Sequence, residues 1–467
     1  MKRVLSLLLV VLMMFSLVAC GSGSQPANEA NNAAPSTPAA EPSAAPSTTE
    51  PSSTKKIVLN VWSFTDEVPK MIEKFLEMNP DFAAKYEIST TIIATTEGAY
   101  QPALDQALAS GGKDAPDIYT AEAAFVLKYA QGDASQYAAP YKDLGIDVDK
   151  AITDAEIAQY TKDIGTNGNG DVVALGYQAT GGAYIYRRSI AKDVWGTDDP
   201  AEIAKIIGPG WDKFYAAAAE LKAKGYGIVS GDGDVWHAVE NSSEKGWVAD
   251  GKFVMDPKRE AFLDLSKELK DKGYHNDTQD WQDAWYADMK DAGEKKILGF
   301  FGPAWMINYV IAGNSGETFG DWAVCEPPVG FFWGGTWVLG SASSEKKEAV
   351  GQIINWITLD TTEQGLQYMW ANGTLNGPGG TKDTVASGKV MGMSDGTLEF
   401  LAGQDMFEVF IPANQFANGK NLTQYDETIN LYWRDQVRAY SAGEKSREDA
   451  IKDLKQMVRD NLDIIVE

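Results

Sequence analysis

Short apolar segments alternate with helical patterns where the globular part of the chain begins. A first strand is predicted over residues 57–62, a second over 86–94 and a third over 116–119, with helices between them. The apolar stripe of the first helix comprises Val68, Met71, Ile72, Phe75 and Leu76. This βαβαβ order predicts an α/β fold with a mainly parallel sheet and right-handed crossovers.

Aromatic and acidic side chains follow the first and third predicted strands. The first strand ends at Trp62, Asp66 and Glu67 open the next helix, and Glu122 follows the third strand. Ligands of such sheets bind beyond the carboxyl ends of the strands, so these residues are candidates for a binding site. The alternatives are that Trp62 belongs to the core, and that the two acids only complement the helix dipole.

The amino terminus predicts export. Lys2 and Arg3 precede an apolar stretch, 4–18, that is too short for a stable transmembrane anchor. It ends in Leu-Val-Ala-Cys-Gly at 17–21, which resembles a bacterial lipoprotein signal with its lipobox. The resemblance implies a signal peptide over 1–19 and lipidation of Cys20. The alternative is an ordinary secretory signal with a chance cysteine, and both place the mature protein outside the cytoplasm.

Residues 20–55 are rich in Ala, Pro, Ser, Thr and Asn and contain almost no large apolar side chain. Such a segment cannot bury enough surface to offset the entropy lost on ordering. It is predicted to be a disordered tether that holds the globular part away from the membrane, on the extracytoplasmic face of a Gram-positive cell.

The composition excludes several classes of partner. The chain holds 66 acidic residues against 41 Lys and Arg, for a formal charge of −25. Nucleic acid is therefore not an expected partner, because phosphate binding requires a basic surface. Cys325 is the only cysteine after Cys20, so no intramolecular disulfide is expected. The roughly 410 residues after the tether are natural for two lobes.

Turn and cap signals organise the rest of the chain. Residues 166–176 favour a hairpin over a calcium loop, because the loop glycine and the distal glutamate are missing. Helices are predicted near 210–224, 256–272 and 279–292. Asp360-Thr361-Thr362-Glu363 predicts a capping box, and Ser446 with Asp449 predicts a second helix start. A strand interrupted by Gly334-Gly335 is predicted within 330–340.

Taken in order, these segments resemble the family 1 extracellular solute-binding proteins of ABC importers, the class that includes maltose-binding protein. The resemblance covers essentially everything after the tether. It is carried by Val61-Trp62-Ser63, Pro116-Asp117-Ile118, Tyr129-Ala130-Gln131-Gly132, Gly302-Pro303-Ala304-Trp305, the double glycine at 334–335 and the segment 358–370.

The resemblance implies an α/β, two-lobe periplasmic-binding-protein-like fold of type II, with hinge-linked lobes that each have a central β-sheet flanked by helices. The first lobe is expected over 56–175 and 340–373. The second lobe is expected over 176–335 and 374–467, with 336–339 as a hinge. A ligand would lie between the lobes and would close them through its higher affinity for the closed state.

A sugar or oligosaccharide is the expected ligand. Aromatic rings cover the apolar faces of sugars, and carboxylates and amides bind their hydroxyl groups. An anionic solute would need Arg, Lys or bare helix N-termini, and the expected cleft segments carry few bases. His237 and His275 lack partners at metal-ligand spacing, so we expect no metal and no cofactor. The resemblance implies a monomer that delivers the sugar to the transmembrane subunits of an ABC permease.

The resemblance also implies individual contacts. Asp66 aligns with a sugar-binding aspartate of the maltose-binding relatives, whereas Glu67 stands where those proteins carry a basic contact. The family places a stacking aromatic side chain near Trp236, with Asp234 beside it. Trp305, after Gly302-Pro303, is expected to stack on the sugar.

Further candidates lie in the expected crossovers between the lobes. Tyr177 and Thr180 either face the cleft or pack in the hinge. Trp333 and Trp337 flank the double glycine, and one of them is expected to face the ligand while the other belongs to the core. Three other tryptophans are expected in the core, namely Trp281, Trp285 and Trp370.

Two other classes of function compete with the importer subunit. The acid pairs Asp232/Asp234 and Asp66/Glu67 suggest a surface glycosidase, but adjacency in sequence does not set the distance that two catalytic carboxylates need. The chain has no G-x-S-x-G, H-E-x-x-H or G-x-x-x-x-G-K-[ST] motif, so we expect no enzyme activity. A surface carbohydrate-binding adhesin or sensor is the third possibility.

Overall fold

The computed structural model describes residues 55–95, 98–377 and 379–466. The predicted signal peptide (1–19), Cys20 and the tether up to residue 54 lie outside the described residues. Within the described ranges, every helix is too short or too polar to cross a lipid bilayer.

The strands form two main sheets and two short hairpin-like pairs. In chain order they are β1 (Ile57–Ser63), β2 (Tyr86–Ile92), β3 (Ile118–Glu122), β4 (Ala174–Gly176), β5 (Ala183–Arg187), β6 (Val248–Ala249), β7 (Lys252–Phe253), β8 (Gly299–Gly302), β9 (Trp322–Cys325), β10 (Thr336–Gly340), β11 (Thr397–Leu398) and β12 (Gln404–Asp405).

A π turn (Ile307–Ile311) joins two short helices into a continuous segment. The helices cover both main sheets. In chain order they are α1 (Glu67–Met78), α2 (Pro80–Lys85), α3 (Tyr100–Ser110), α4 (Val126–Ala130), α5 (Val148–Ala155), α6 (Gln159–Gly165), α7 (Arg188–Trp195), α8 (Pro200–Ile207), α9 (Trp211–Ala223), α10 (Gly233–Ser242), α11 (Pro257–Asp271), α12 (Asp283–Met289), α13 (Ala304–Met306), α14 (Ala312–Asn314), α15 (Lys347–Thr358), α16 (Leu366–Ala371), α17 (Gly388–Gly392), α18 (Phe407–Ala413), α19 (Asp426–Ser441) and α20 (Arg447–Asn461).

The first lobe is built on the sheet with strand order β2-β1-β3-β10-β4. β1 pairs in parallel with β2 and β3, as the βαβαβ order predicts. β10 enters antiparallel between β3 and β4, where Val338 lies opposite both Thr120 and Leu175. Residues 336–339, the expected hinge, are buried in β10 in the middle of the first sheet, and their role as a hinge stays a prediction.

Local sequence explains why the helices begin where they do. The stripe predicted for α1 is present, since Val68, Met71, Ile72 and Phe75 are buried. The side chain of Ser446 accepts a hydrogen bond from the backbone N–H of Asp449, which confirms the predicted start of α20.

Two predicted helix starts are wrong. The Asp360–Glu363 box does not cap a helix, because Asp360 bonds the N–H of Thr362 within a turn and α16 begins only after Gly365. The helix predicted over 279–292 is shorter, because Trp281 has the left-handed backbone φ of 67° and α12 begins after it.

The second lobe is built on the antiparallel sheet β8-β5-β9. One apolar cluster packs its helices α9, α10, α11, α19 and α20 against this sheet, and it includes Trp236, Trp247 and Trp433. A second cluster covers the opposite side and draws in α17 and α18 from the carboxyl-terminal third of the chain.

Three crossovers connect the lobes side by side. Residues 177–182 join β4 to β5, residues 326–335 join β9 to β10, and the third crossover follows α16. Gly182 donates its N–H to the carbonyl of Phe331 (2.8 Å), and Ala386 donates to that of Tyr177 (2.9 Å). The crossover segments 177–182 and 326–335 therefore form a narrow, hydrogen-bonded connection between the lobes, here called the seam. The space between the lobes lies next to it.

Candidate functional site

A cavity of about 130 Å³ lies between the two lobes. The first lobe contributes the end of β3 and the turn after it, and the second lobe contributes α10, α19 and the segment before α19. The crossover between β9 and β10 closes the wall that joins them. The lining residues are Glu122, Ala123, Ala124, Leu127, His237, Glu240, Asn241, Phe332, Trp333, Gly334, Leu422, Thr423, Asp426, Glu427 and Asn430.

Glu122 is placed in this cavity by the sheet itself. It is the last residue of β3 and lies opposite Thr336 of β10, and one of its carboxylate oxygens accepts the N–H of Ala124 at 2.7 Å. Burial raises the pKa of Glu122 to about 7, against the opposing effect of that hydrogen bond. Gly334 has a φ of +69°, and a Cβ built on it would lie 3.4 Å from Glu122 Oε1. Glycine at 334 therefore leaves the space beside this carboxylate open.

Trp281, Trp305 and Trp333 form an indole cluster on the second-lobe side. The rings of Trp281 and Trp305 are nearly parallel, with an interplanar angle of 9° and centroids 6.2 Å apart. Trp333 meets both rings edge-on, at 6.0 Å and 5.0 Å between centroids. The indole N–H of Trp305 donates to the carbonyl of Trp333 at 3.1 Å, which fixes the two side chains relative to each other. Trp281 is 43% exposed, so the cluster presents an open aromatic surface.

His237 and Glu240 face the cavity from one side of α10. The His237 ring stacks on Trp333, with centroids 4.1 Å apart and an angle of 18°. Burial lowers the pKa of His237 to about 3, so its ring is neutral at physiological pH. Burial raises the pKa of Glu240 to about 7, although the nearby Arg259 acts in the opposite direction. Glu240 also accepts a hydrogen bond from Asn430 of α19, which holds its carboxylate against the cavity wall.

Polar contacts join the lobes beside the cavity. The amide of Gln101 on α3 donates to Glu427 on α19 at 3.1 Å. The backbone N–H of Asp133 donates to the side chain of Gln424 at 3.0 Å. These contacts bring the rims of the two lobes together, so the cavity is narrow.

The structure places two predicted contacts in the core instead. Trp236 is 1% exposed and packs against Trp247 and Phe262 in the second-lobe core. Trp337 is also 1% exposed, and its indole N–H donates to the carbonyl of Thr161. Of the pair flanking the double glycine, Trp333 therefore lines the cavity and Trp337 belongs to the first-lobe core.

Three further candidates are enclosed by protein contacts. The hydroxyl of Tyr177 donates to Glu67, and that of Thr180 donates to the carbonyl of Gly334. Asp234 accepts hydrogen bonds from Trp285 and from the backbone of Gly231, and burial raises its pKa to about 8. Tyr177 and Thr180 therefore pack in the seam between the lobes, and Asp234 supports the loop before α10 from inside.

The turn after β1 lies apart from the residues that line the cavity. Trp62 is partly buried against the first-lobe core, and Asp66 is exposed and pairs with Lys70 at 2.5 Å. Glu67 is partly buried, and burial raises its pKa against the hydrogen bond from Tyr177. These residues stay predicted contacts, at the carboxyl end of β1.

Trp281 is a partly exposed member of the indole cluster, whereas the sequence analysis expected it in the core. Its backbone lies in the left-handed region, which is uncommon for a residue with a large side chain. The signal in the sequence was its setting, because the segment Asn-Asp-Thr-Gln-Asp before it is entirely polar. An isolated tryptophan among polar residues is better interpreted as exposed than as core.

Metal binding has no support in the described ranges. There, no three or more His, Cys, Asp or Glu side chains are arranged to hold a metal ion.

Comparison with known proteins agrees with this architecture. Residues 62–364, more than half of the chain, match the family model described as bacterial extracellular solute-binding protein. A search of curated protein sequences finds no match.

Solved structures share the fold at low sequence identity. One family 1 extracellular solute-binding protein superposes with a TM-score of 0.71 at 19% identity, covering 86% of this chain and 99% of that chain. The galacto-N-biose/lacto-N-biose I-binding protein of Bifidobacterium longum gives 0.64 at 16% identity, over 88% and 99%. The GacH receptor of Streptomyces glaucescens gives 0.61 at 17% identity, over 86% and 97%.

These likenesses confirm the two-lobe, periplasmic-binding-protein-like α/β fold. The family match includes the second-lobe sheet, most of the first-lobe sheet and the first two crossovers. The chain belongs to the bacterial extracellular solute-binding protein family.

Proposed function

We propose that this protein is the substrate-binding subunit of an ABC importer and that it captures a sugar or oligosaccharide between its lobes. The observation that carries the proposal is an interlobe cavity lined by four carboxylates and by Trp333, whose ring contacts those of Trp281 and Trp305. Indole faces cover the apolar surfaces of a sugar ring, and carboxylates accept hydrogen bonds from its hydroxyl groups.

The polar wall of the cavity suits a hydroxylated ligand. Asn241, Thr423 and Asn430 line it together with the carboxylates, so both donors and acceptors are available. His237 Nε2 is buried and has no hydrogen-bond partner among the described residues. A ligand hydroxyl would satisfy this nitrogen, which otherwise leaves a polar atom unpaired.

Two structural relatives support the choice of ligand class. The Bifidobacterium longum protein was solved with lacto-N-biose, and the Streptomyces glaucescens receptor with acarbose and an acarbose homologue. At 16% and 17% identity these ligands do not transfer directly, so the proposal rests on the cavity and takes from them only the class.

We propose Glu122, Trp305 and Trp333 as sugar contacts among the residues predicted from the sequence, and we add Trp281. Trp62, Asp66 and Glu67 stay in the proposal as contacts of a longer ligand that reaches the end of β1. The other predicted contacts are omitted, because protein partners enclose their polar atoms or the core encloses their rings.

Closure is proposed to bend the three crossovers. The seam between 177–182 and 331–335 is held by backbone bonds, including that from Trp333 N to the carbonyl of Thr180 (3.1 Å). Ligand contacts with Glu122 on one lobe and with α10 on the other would favour the closed arrangement. We further propose that lipid on Cys20 anchors the protein at the outer face of the cell membrane, next to the permease.

A titration of the full-length chain with a panel of mono- and oligosaccharides tests the binding role. We expect saturable quenching or enhancement of tryptophan fluorescence and a matching calorimetric signal for at least one saccharide. Trp305→Ala should weaken that binding by at least about tenfold, or about 1.4 kcal/mol. Saturable binding of peptides or metal ions, with none of any saccharide, would refute the proposed ligand class.

Uptake by cells tests the importer role separately. Deletion of the gene should abolish import of the saccharide that the purified protein binds, and a Cys20→Ala variant should be released from the membrane. Normal uptake in the deletion strain would favour an adhesin or a sensor instead.

A further inference from the structure

Four carboxylates line the interlobe cavity, and no lysine or arginine does so among its described lining residues. Glu122 comes from the first lobe, and Glu240, Asp426 and Glu427 come from the second. Three of them have only neutral hydrogen-bond donors: Ala124 N–H for Glu122, Asn430 for Glu240 and Gln101 for Glu427. Arg259 lies 3.5 Å from Asp426 and, together with Arg434, also acts on Glu240 from inside the second lobe. Glu122, on the first-lobe side, forms no ion pair with a lysine or arginine among the described residues, so the protein supplies no counter-charge to it.

Several partly buried and buried acids elsewhere in this protein are paired with cations. Arg187 bonds Asp291 at 2.6 Å and Asp321 at 2.8 Å. Lys346 bonds Asp117 at 2.8 Å, and Arg434 forms a two-pronged pair with Asp280. This is the usual arrangement, because an ionised carboxylate removed from water is costly unless it is paired.

Four other buried acids, Asp234, Asp256, Asp288 and Asp383, also form no ion pair among the described residues, but they differ from the cavity acids because protein donors enclose them. Asp234 and Asp383 are 4% and 3% exposed, and protein donors surround them, among them Trp285 for Asp234 and Gln178 for Asp383. No ligand can reach them without local unfolding. Glu122 and Glu240 instead border open space, so an arriving ligand can supply their counter-charge.

The charge state of the cavity acids agrees with a missing partner. Burial raises the pKa of Glu122 and of Glu240 to about 7, and the charge of Glu427 raises that of Glu122 further. An ammonium group placed among them would reverse these shifts, since a nearby opposite charge favours the ionised carboxylate.

The aromatic side of the cavity also suits a cation. Trp247, in the core of the second lobe, has the guanidinium of Arg259 over its ring at 4.7 Å. Among the described residues, no such contact involves Trp281, Trp305 or Trp333. An indole face attracts a cation that comes within about 6 Å of its centroid. His237 covers one face of Trp333 at 4.1 Å, so a cation from outside would meet the remaining indole surface of the cluster, which includes the 43% exposed Trp281.

We propose that the ligand is a saccharide carrying a protonated amine, whose ammonium group lies among Glu122, Glu240 and Glu427 against the ring of Trp333. The inference rests on the proposed function, because it takes the interlobe cavity as a saccharide site and adds the charge of the ligand. The sugar ring would contact the indole cluster, while the amine distinguishes this ligand from a neutral sugar of the same shape.

Matched saccharides that differ in one substituent test the proposal. The full-length chain is titrated by calorimetry with glucose, glucosamine and N-acetylglucosamine, with the galactose counterparts, and with cellobiose, the glucosamine disaccharide of the same linkage and its N-acetylated form. Spermidine is included as a cation without a sugar ring. In at least one set, we expect the free amine to bind about tenfold or more tightly than both neutral members.

Variants and salt locate the source of that preference. Glu122→Gln and Glu240→Gln should each reduce the ratio of amine affinity to matched neutral-sugar affinity to less than about threefold, whatever change the variant causes in neutral-sugar affinity itself. Glu77→Gln, an exposed acid paired with Lys74, serves as the matched control and should keep the preference. In the unmodified protein, raising the salt from about 0.05 to about 1 M should weaken the amine and spare the neutral sugar.

Each outcome decides the inference about the amine, the proposed saccharide function, or both. If neutral members bind as tightly as the amines, the inference is wrong and the proposed saccharide function stands. If spermidine binds and no saccharide does, both are wrong. If nothing in the panel binds, the proposed function fails, and the inference fails with it.

Discussion

The second lobe contains two groups of tryptophans that have opposite roles. Trp236 and Trp247 are at most 1% exposed, stack at 6.3 Å between centroids and have Arg259 enclosed beside them. Trp281, Trp305 and Trp333 make similar ring contacts, but Trp281 is 43% exposed and carboxylates lie near the cluster. The core pair is complete without a ligand, whereas the indole cluster has open faces. The comparison teaches that ring contacts alone do not distinguish a core tryptophan from a ligand-binding one. The distinguishing feature is an indole surface that the protein leaves uncovered.

The largest expected effect is on the core pair. Trp247→Ala should lower the free energy of unfolding by about 3–5 kcal/mol, because it leaves a cavity beside Arg259 and removes the indole N–H that donates to Asn430. Denaturant-induced unfolding measures this change. A loss below about 1 kcal/mol would show that this pair is not part of the core in solution.

The second-largest expected effect is at Trp281, where a substitution should weaken ligand binding and leave the stability of the fold nearly unchanged. Trp281→Gly should weaken saccharide binding by about tenfold or more, since it removes an exposed face of the indole cluster. It should change the free energy of unfolding by less than about 1 kcal/mol, because glycine relieves the positive φ that tryptophan adopts there. Calorimetric titration and denaturant unfolding measure the two quantities. Unchanged affinity would remove Trp281 from the site.

A smaller effect concerns the acids beside the indole cluster. Carboxyls of an unfolded chain ionise near about pH 4.3, whereas burial raises the pKa of Glu122 and of Glu240 to about 7 in the fold. The folded state therefore binds more protons in this window. The stability that these groups contribute is present below it and is lost as the pH rises through about 7.

A matched variant isolates this contribution. Glu122 faces Glu427, and Glu240 faces Arg259, Asp426 and Arg434, so the background titration is complex. The ligand-free protein should lose about 1 kcal/mol relative to the double variant Glu122→Gln/Glu240→Gln between about pH 5 and pH 8. Unfolding curves at several pH values measure the difference. Parallel profiles for the two proteins would contradict the raised pKa values.

The smallest effect tests the core assignment of Trp236 through binding. Trp236→Phe keeps an aromatic ring against Trp247 and Phe262, so the stability loss should stay below about 1.5 kcal/mol. Saccharide affinity, measured by calorimetry, should change by less than about twofold. A tenfold loss would restore Trp236 as the stacking residue that the family resemblance implies.

The fold could be predicted from sequence because its signals are local. The apolar stripe of α1, the strand alternation before it and the Ser446 cap each depend on residues within a few positions of one another. The position of Glu122 at the cleft followed from the rule that ligands bind beyond strand ends. The antiparallel entry of β10 did not follow, because it depends on pairing with β3 and β4 from distant parts of the chain.

The candidate site was only partly predictable, because every tryptophan looks alike in sequence. The double glycine made Trp333 and Trp337 equivalent candidates, and only the packing of the crossover against α10 turned Trp333 to the cavity. The sequence by itself predicted an export leader, which stays a prediction, and it determined the α/β order and a cleft poor in bases. The tertiary structure alone decided which indoles and carboxylates meet there. Burial and the counter-charge of each side chain depend on neighbours brought together by the two sheets, not on neighbours along the chain.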